Sequence, residues 1–254
     1  MNTPQPLPLD EVHVWYRFTE AITEADVQTL SAALSEDERA RARRFVFARD
    51  RRDFTAAHVL LRNTLSRYDD VPPGAWIFEA AGGHKPIIAA PRTTLAFNVS
   101  HTHGLVACAV ARDTALGVDV ESIDRLSSGR EIAERFFSPF ECRGLDRCEP
   151  SGYTTRFIEL WTLKESYLKG IGTGLSHPLD NFSFDLDRPP AITFAAPPDV
   201  NTADWQFLLG APASNYRLAA AVKRTAVTDR YRIVLHDATP MDSRNATILG
   251  ESPR

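Results

Sequence analysis

Cysteine is scarce in this 254-residue chain: Cys108, Cys142 and Cys148 are too few and wrongly spaced for a zinc ribbon or a disulfide framework. Long apolar runs are missing as well. The longest, Leu105 to Ala111, falls far short of the ~20 residues that a membrane-spanning helix needs. The opening stretch M-N-T-P-Q-P-L-P-L-D has neither a basic lead nor an apolar core, so it does not read as a signal peptide. A cytoplasmic protein is expected. Excess positive charge is lacking too, and the formal net charge of −4 argues against a dedicated nucleic-acid binder. What is present, 43% apolar and 24% charged residues, describes an ordinary globular protein of one large domain or two modest ones.

Charge is nonetheless unevenly spread. Arg39, Arg41, Arg43, Arg44, Arg49, Arg51 and Arg52 put seven arginines into fourteen residues, following a capping-box signature at Ser35-x-x-Glu38. A helix carrying them has either a solvated basic face or a local positive field able to hold a multiply charged anion such as phosphate.

The stretch 115–124, A-L-G-V-D-V-E-S-I-D, reads as a strand. Side chains alternate faces along a strand, so Asp119 and Glu121 share one face while Leu116, Val118 and Val120 share the other. Two neighbouring carboxylates repel unless a cation or a proton relieves them, and all-oxygen donors suit a hard ion such as Mg²⁺. An acidic outer face on a half-buried strand gives the same pattern.

Around this stretch the chain alternates strands and helices. Residues 12–18 read as a strand, 23–33 as a helix and 54–68 as a core helix, with a Gly82-Gly83-His84-Lys85-Pro86 turn beyond a short strand at 76–79. Strand 95–100 runs into His101-Thr102-His103, and strands 105–112 and 115–121 are expected to form a hairpin through Asp113-Thr114. Ser138-Pro139-x-Glu141 repeats the capping box and gives Glu141 a structural role to weigh against a chemical one. In the long helix 153–171, Trp161, Glu165 and Lys169 share one face, while Leu160, Leu163 and Tyr167 point to the core. Strands follow at 182–186, 191–194, 205–209 and 216–222, and residues 237–254 look like a mobile polar tail. The two capping boxes and two long helices echo one another. They suggest two α+β halves, 1–113 and 114–236, the second carrying the acids.

F-N-V-S-H at 97–101, G-V-D-V-E at 117–121, F-F-S-P-F-E at 136–141 and W-T-L-K-E-S-Y-L-K-G-I-G-T-G-L at 161–175 together resemble the 4′-phosphopantetheinyl transferases. The likeness is to the large two-domain type that activates peptide and polyketide synthetases, and it covers roughly residues 12–225. It implies an α+β fold of two similar halves related by a pseudo-twofold axis, with coenzyme A bound between them in a monomer. It also implies transfer of phosphopantetheine from coenzyme A to an apo acyl or peptidyl carrier protein, with no nucleic acid or membrane involved.

Residue by residue, Asp119, Glu121 and Glu165 resemble the family's magnesium ligands, and Lys169, His101 and Ser100 its phosphate contacts. Lys85 and Pro86 match the adenine-side turn, and Arg41 and Arg52 fall in the region of the 3′-phosphate. Lys164 could steady the transferring phosphate, and Glu165 or Glu141 could take the serine proton. Two departures stand out: His84 occupies a position that is often glycine, and Glu38 a helix position that is basic in some members. A metal-dependent phosphoanhydride hydrolase and a non-catalytic coenzyme A-binding module remain as rivals.

Overall fold

The computed structural model of the chain describes residues 4–79, 85–125, 129–174, 177–239 and 247–252. The first half comprises β1 (Glu11–Phe18), α1 (Glu24–Leu30), α2 (Glu36–Ala42) and α3 (Ala48–Tyr68). A ribbon of β2 (Ile77–Glu79) and β3 (Ile87–Ala90) follows, then β4 (Leu95–Thr102) and β5 (Leu105–Arg112). The second half repeats the order with β6 (Leu116–Ser122), α4 (Gly129–Phe136), α5 (Pro139–Asp146) and α6 (Pro150–Ile171). The ribbon β7 (Ser183–Asp185) and β8 (Thr193–Ala195) precedes β9 (Trp205–Ala211) and β10 (Tyr216–Lys223). Two last strands, β11 (Arg232–Asp237) and β12 (Thr247–Glu251), close the chain. Sheet orders are β11-β1-β5-β4 and β12-β9-β10-β6, so β1-β5-β4 in one half answers β6-β10-β9 in the other.

Layering follows from the apolar alternation. On β5, Leu105, Ala107, Ala109 and Ala111 face a central core shared with Leu116, Val118 and Val120 of β6. Its intervening residues Val106, Cys108 and Val110 pack instead beneath α3 with Leu61, Leu65 and Phe97. On the far side α6 covers the second sheet by packing Leu160, Leu163 and Tyr167 with Phe207 of β9. The stack is therefore helix, sheet, sheet, helix. No helix among the described residues is long and apolar enough to cross a membrane.

Three expectations are corrected. Residues 105–121 do not form a hairpin: both edges of β5 are taken by β1 and β4, so β6 must pair elsewhere and does so with β10. Asp113 turns the chain away at φ +51°, and the Thr114 hydroxyl donates to the Lys223 carbonyl at 2.6 Å. The arginine run does not lie on one helix either. α2 stops at Ala42 and α3 starts at Ala48, leaving Arg43 and Arg44 in the link and exposing Val46 and Phe47. Finally, the expected tail from residue 237 contains structure, because β12 pairs antiparallel with β9; β11, unforeseen as a strand, pairs in parallel with β1 and ends at Asp237.

Both capping boxes form as expected and each serves a buried clasp. Glu38 accepts from the Arg62 Nε at 2.9 Å, and the Arg62 Nη1 donates to the Pro73 and Trp76 carbonyls at 2.8 and 2.9 Å. In the second half, Glu141 pairs with the Lys164 Nζ at 2.8 Å, and that ammonium donates to the Leu179 and Phe182 carbonyls at 2.7 and 2.6 Å. A carboxylate at the third position of a short helix thus grips a cation of the long helix, which in turn holds the chain just beyond it. The halves share this device as well as their strand order.

Gly117 decides how near β6 comes to α6. A Cβ there would stand 2.0 Å from the Ser166 carbonyl oxygen and 2.5 Å from the Gly170 nitrogen, both rigid backbone atoms. No side chain can be accommodated without moving the strand off the helix. Gly117→Val is expected to cost about 3 kcal/mol or more, read as a lower denaturant midpoint; an unchanged midpoint would contradict this contact.

Candidate active site

The close crossing of β6 and α6 brings three chemical groups together. Lys169, one turn beyond Glu165 on the half-buried face of α6, sets its Nζ 2.6 Å from the Asp119 Oδ1 and 2.8 Å from the Ser100 Oγ. Asp119 is only 4% exposed, and its second oxygen, Oδ2, is buried without a hydrogen-bond partner. A buried carboxylate oxygen left bare is costly and invites a cation. Glu165 stands close enough to feel that charge: burial first, and the Asp119 carboxylate second, push its pKa up to about 7. Glu121 projects on the same face of β6 as Asp119 and accepts from the Thr102 hydroxyl at 3.3 Å.

The raised Glu165 pKa has two consequences. Protonated Glu165 is favoured in the folded chain, so its contribution to stability is full below about pH 4.5 and is lost as pH rises through about 7. Glu165→Gln is therefore expected to raise the melting temperature more at pH 8 than at pH 5. Equal shifts at both values would show that Glu165 titrates normally.

His101, at the exposed end of β4, lines two cavities. One, of about 520 Å³, has Leu61, Trp76 and Phe97 in its wall and Arg41 and Pro86 at its rim. The other, of about 380 Å³, is bounded by Phe45, Arg49, Asp53 and His103. Loss of solvent holds the His101 pKa below the ordinary value, with Lys169 and Arg41 acting in the same direction against Asp53. A neutral His101 donates one hydrogen bond to a ligand rather than a full charge.

The other expected site residues are distributed as follows. Arg41 lines the larger cavity with its guanidinium 5.3 Å from the Phe54 ring. Arg52 lies beside Asp53 at 3.6 Å and lines neither cavity. Lys85 donates to the Leu116 carbonyl, and burial lowers its pKa to about 8; its neighbour Pro86 does reach the larger cavity. Ser100 faces the acids, donating to the Asp119 Oδ1 at 2.9 Å. His84 lies outside the described residues.

Two chemical roles are overturned. Lys164 and Glu141 are wholly enclosed in the second clasp, and the Glu141 Oε1 also accepts from the Phe184 N–H at 3.0 Å. Neither can meet a phosphate or a serine. Glu38 is likewise committed within the protein: burial pushes its carboxyl up, but hydrogen bonds from His58 and the Ser35 backbone overcome this and leave it at about 2.

Sequence reasoning also passed over Asn98, Thr102 and Gly117, all of which touch or seat the acid strand. The alternation Asn98-x-Ser100-x-Thr102 was a usable signal, since it puts three polar side chains on one face of β4.

The superfamily profile for 4′-phosphopantetheinyl transferases matches residues 115–221, and the profile for the transferase N-terminal domain matches residues 21–113. The 4′-phosphopantetheinyl transferase HetI of Nostoc sp. is 37% identical over 216 residues, covering 84% of this chain and 88% of its own. The chain belongs to the 4′-phosphopantetheinyl transferase superfamily.

Similarity to other transferases is consistent with this. A 4′-phosphopantetheinyl transferase of Bacillus subtilis is 33% identical over 66% of this chain and 73% of its own, and Sfp of B. subtilis strain 168 is 31% identical over 69% and 77%. In this transferase the profile boundary falls between β5 and β6, where the chain passes from one sheet to the other. The bare Asp119 oxygen and the raised Glu165 carboxyl both lie in the part matched by the superfamily profile.

Proposed function

We propose that this chain transfers 4′-phosphopantetheine from coenzyme A to a serine hydroxyl of an apo acyl or peptidyl carrier protein. Adenosine 3′,5′-bisphosphate is released, Mg²⁺ is required, and the enzyme works as a cytoplasmic monomer. The observation that carries the reading is the meeting of Asp119, Glu165 and Lys169 beside two cavities that share His101.

The donor set suits a magnesium ion. The bare Asp119 Oδ2 and the charge-stressed Glu165 both gain from a divalent cation, and Glu121 supplies further oxygen donors. Among the described residues no three His, Cys, Asp or Glu side chains form a ready-made cage. Mg²⁺ commonly keeps some of its positions for substrate phosphate and water. Bound there, Mg²⁺ would neutralise charge on the pyrophosphate.

The chain's own residues do the rest. The larger cavity, with apolar walls and Arg41 at its rim, takes the nucleotide end, and His101 donates toward the phosphates. Lys169 leaves Asp119 to meet the negative charge that grows on the departing phosphate. The Glu165 carboxylate, directly or through a water, takes the serine proton as the serine oxygen bonds to the β-phosphorus and the pyrophosphate P–O bond breaks.

Intact mass spectrometry of an apo carrier protein incubated with this chain, coenzyme A and Mg²⁺, with an EDTA control, tests the reading. A metal-dependent gain of one phosphopantetheine is expected. Coenzyme A consumed with no gain on several carrier types would point to a hydrolase, and coenzyme A left intact to a binding module.

A further inference from the structure

β4 and β6 are edge strands of different sheets, yet they run side by side without backbone pairing. An edge strand leaves alternate backbone groups unpaired. On β6 those are the groups of residues 116, 118 and 120, and side chains of the first half satisfy one at each residue. The Lys85 ammonium donates to the Leu116 carbonyl, the Asn98 Oδ1 accepts from the Val118 N–H at 2.8 Å, and the Ser100 Oγ accepts from the Val120 N–H at 3.4 Å. One step further, Thr102 donates to the Glu121 carboxylate itself at 3.3 Å.

Asn98, Ser100 and Thr102 are all buried and share one face of β4, so this is a ladder of polar side chains with the period of the strand. It sits where a paired strand would, but its rungs end beside or upon the acids. Asn98 fixes the peptide between Gly117, which is pressed on α6, and Asp119. Thr102 fixes the rotamer of Glu121. A backbone strand in the same place would hold β6 but could not hold a carboxylate.

We propose that Asn98 and Thr102 are positioning residues for the transfer reaction, setting the height of the acid strand and the direction of Glu121 toward the ion. Each acts through β6, although Asn98 also lines the larger cavity and Thr102 the smaller. The proposal rests on the metal-dependent transfer reading, and its test separates the two.

Mn²⁺, titrated into the ligand-free protein and followed by electron paramagnetic resonance, is the probe, read beside kcat, KM for coenzyme A and the melting temperature. Thr102→Val and Asn98→Leu keep the volume and remove the hydrogen bond; Thr102→Ser restores the hydroxyl. Weakening of Mn²⁺ binding by about tenfold in the first two, its recovery in Thr102→Ser and a melting temperature within a few degrees of the parent are expected. Mn²⁺ affinity equal to the parent in both variants would overturn the proposal. If the parent binds no Mn²⁺ even with coenzyme A present, the metal reading fails, and kcat decides the positioning role. A fall restored by Thr102→Ser at constant KM for coenzyme A then supports the role, and an unchanged kcat overturns it. Should Asn98→Leu fail to fold, the Thr102 pair alone carries the same decision.

Discussion

Asp119→Ala is expected to lower kcat/KM for transfer by about 10³-fold while leaving a folded protein. Asp119 is the junction of the site: one oxygen takes both the Lys169 ammonium and the Ser100 hydroxyl, and the other is buried with nothing bound to it. Removing the carboxylate takes away the oxygen best placed for a cation and frees Lys169 from its present position. The structural loss is smaller, because the Lys169 side chain is 26% exposed and can recover water. Asp119→Asn separates charge from shape by retaining an acceptor for Ser100. Since Asp119 is one of the two causes raising the Glu165 pKa, that carboxyl should titrate lower in the asparagine variant, which NMR of a labelled Glu165 can follow. Full transfer by Asp119→Ala at ordinary magnesium concentration would remove Asp119 from the site.

The second large effect is on stability. Lys164→Ala is expected to destabilise the chain by about 3–5 kcal/mol, because it leaves the Glu141 carboxylate buried without its cation and frees the Leu179 and Phe182 carbonyls at the start of the 3₁₀ turn Leu179–Asn181 and just past it. Replacing the whole pair, Lys164→Met with Glu141→Gln, should recover much of that loss, since no charge is then stranded. Arg62→Ala should behave alike in the other half, where Glu38 and the Pro73 and Trp76 carbonyls lose the same support. Urea unfolding measures each, and transfer assayed below the transition measures what the lysine does for chemistry. A kcat lowered a hundredfold in Lys164→Met at unchanged stability would return Lys164 to the reaction.

Much of this arrangement was legible from residue types. The strand face shared by Asp119 and Glu121, the helix face shared by Trp161, Glu165 and Lys169, and both capping boxes depend only on local period and were read from it. The resemblance carried by four motifs added the family. Long-range choices were not legible. Whether β6 pairs with β5 or β10 is decided by competition for the edges of β5, and a tight turn at Asp113-Thr114 gives no hint of it. Lys164 and Lys169 lie five residues apart with equal charge, and only the wrap of residues 179–182 over the helix buries the first and leaves the second free to reach Asp119. The last strands were missed because short, polar-flanked segments look alike whether or not a partner edge awaits them.

Those strands bear on how the chain is made. β1 leaves the ribosome long before its parallel neighbour, which runs from Arg232 opposite Glu11 to Asp237 opposite Tyr16. The second sheet gains its outer strand later still, at residues 247–251. Neither half can complete its sheet until these strands have been made, although their helices can form locally and early. Until residues 232–237 have been made the nascent chain carries β1 with one edge open, a template for wrong pairing. Closure by such distant partners makes the last folding step slow and shared by both halves.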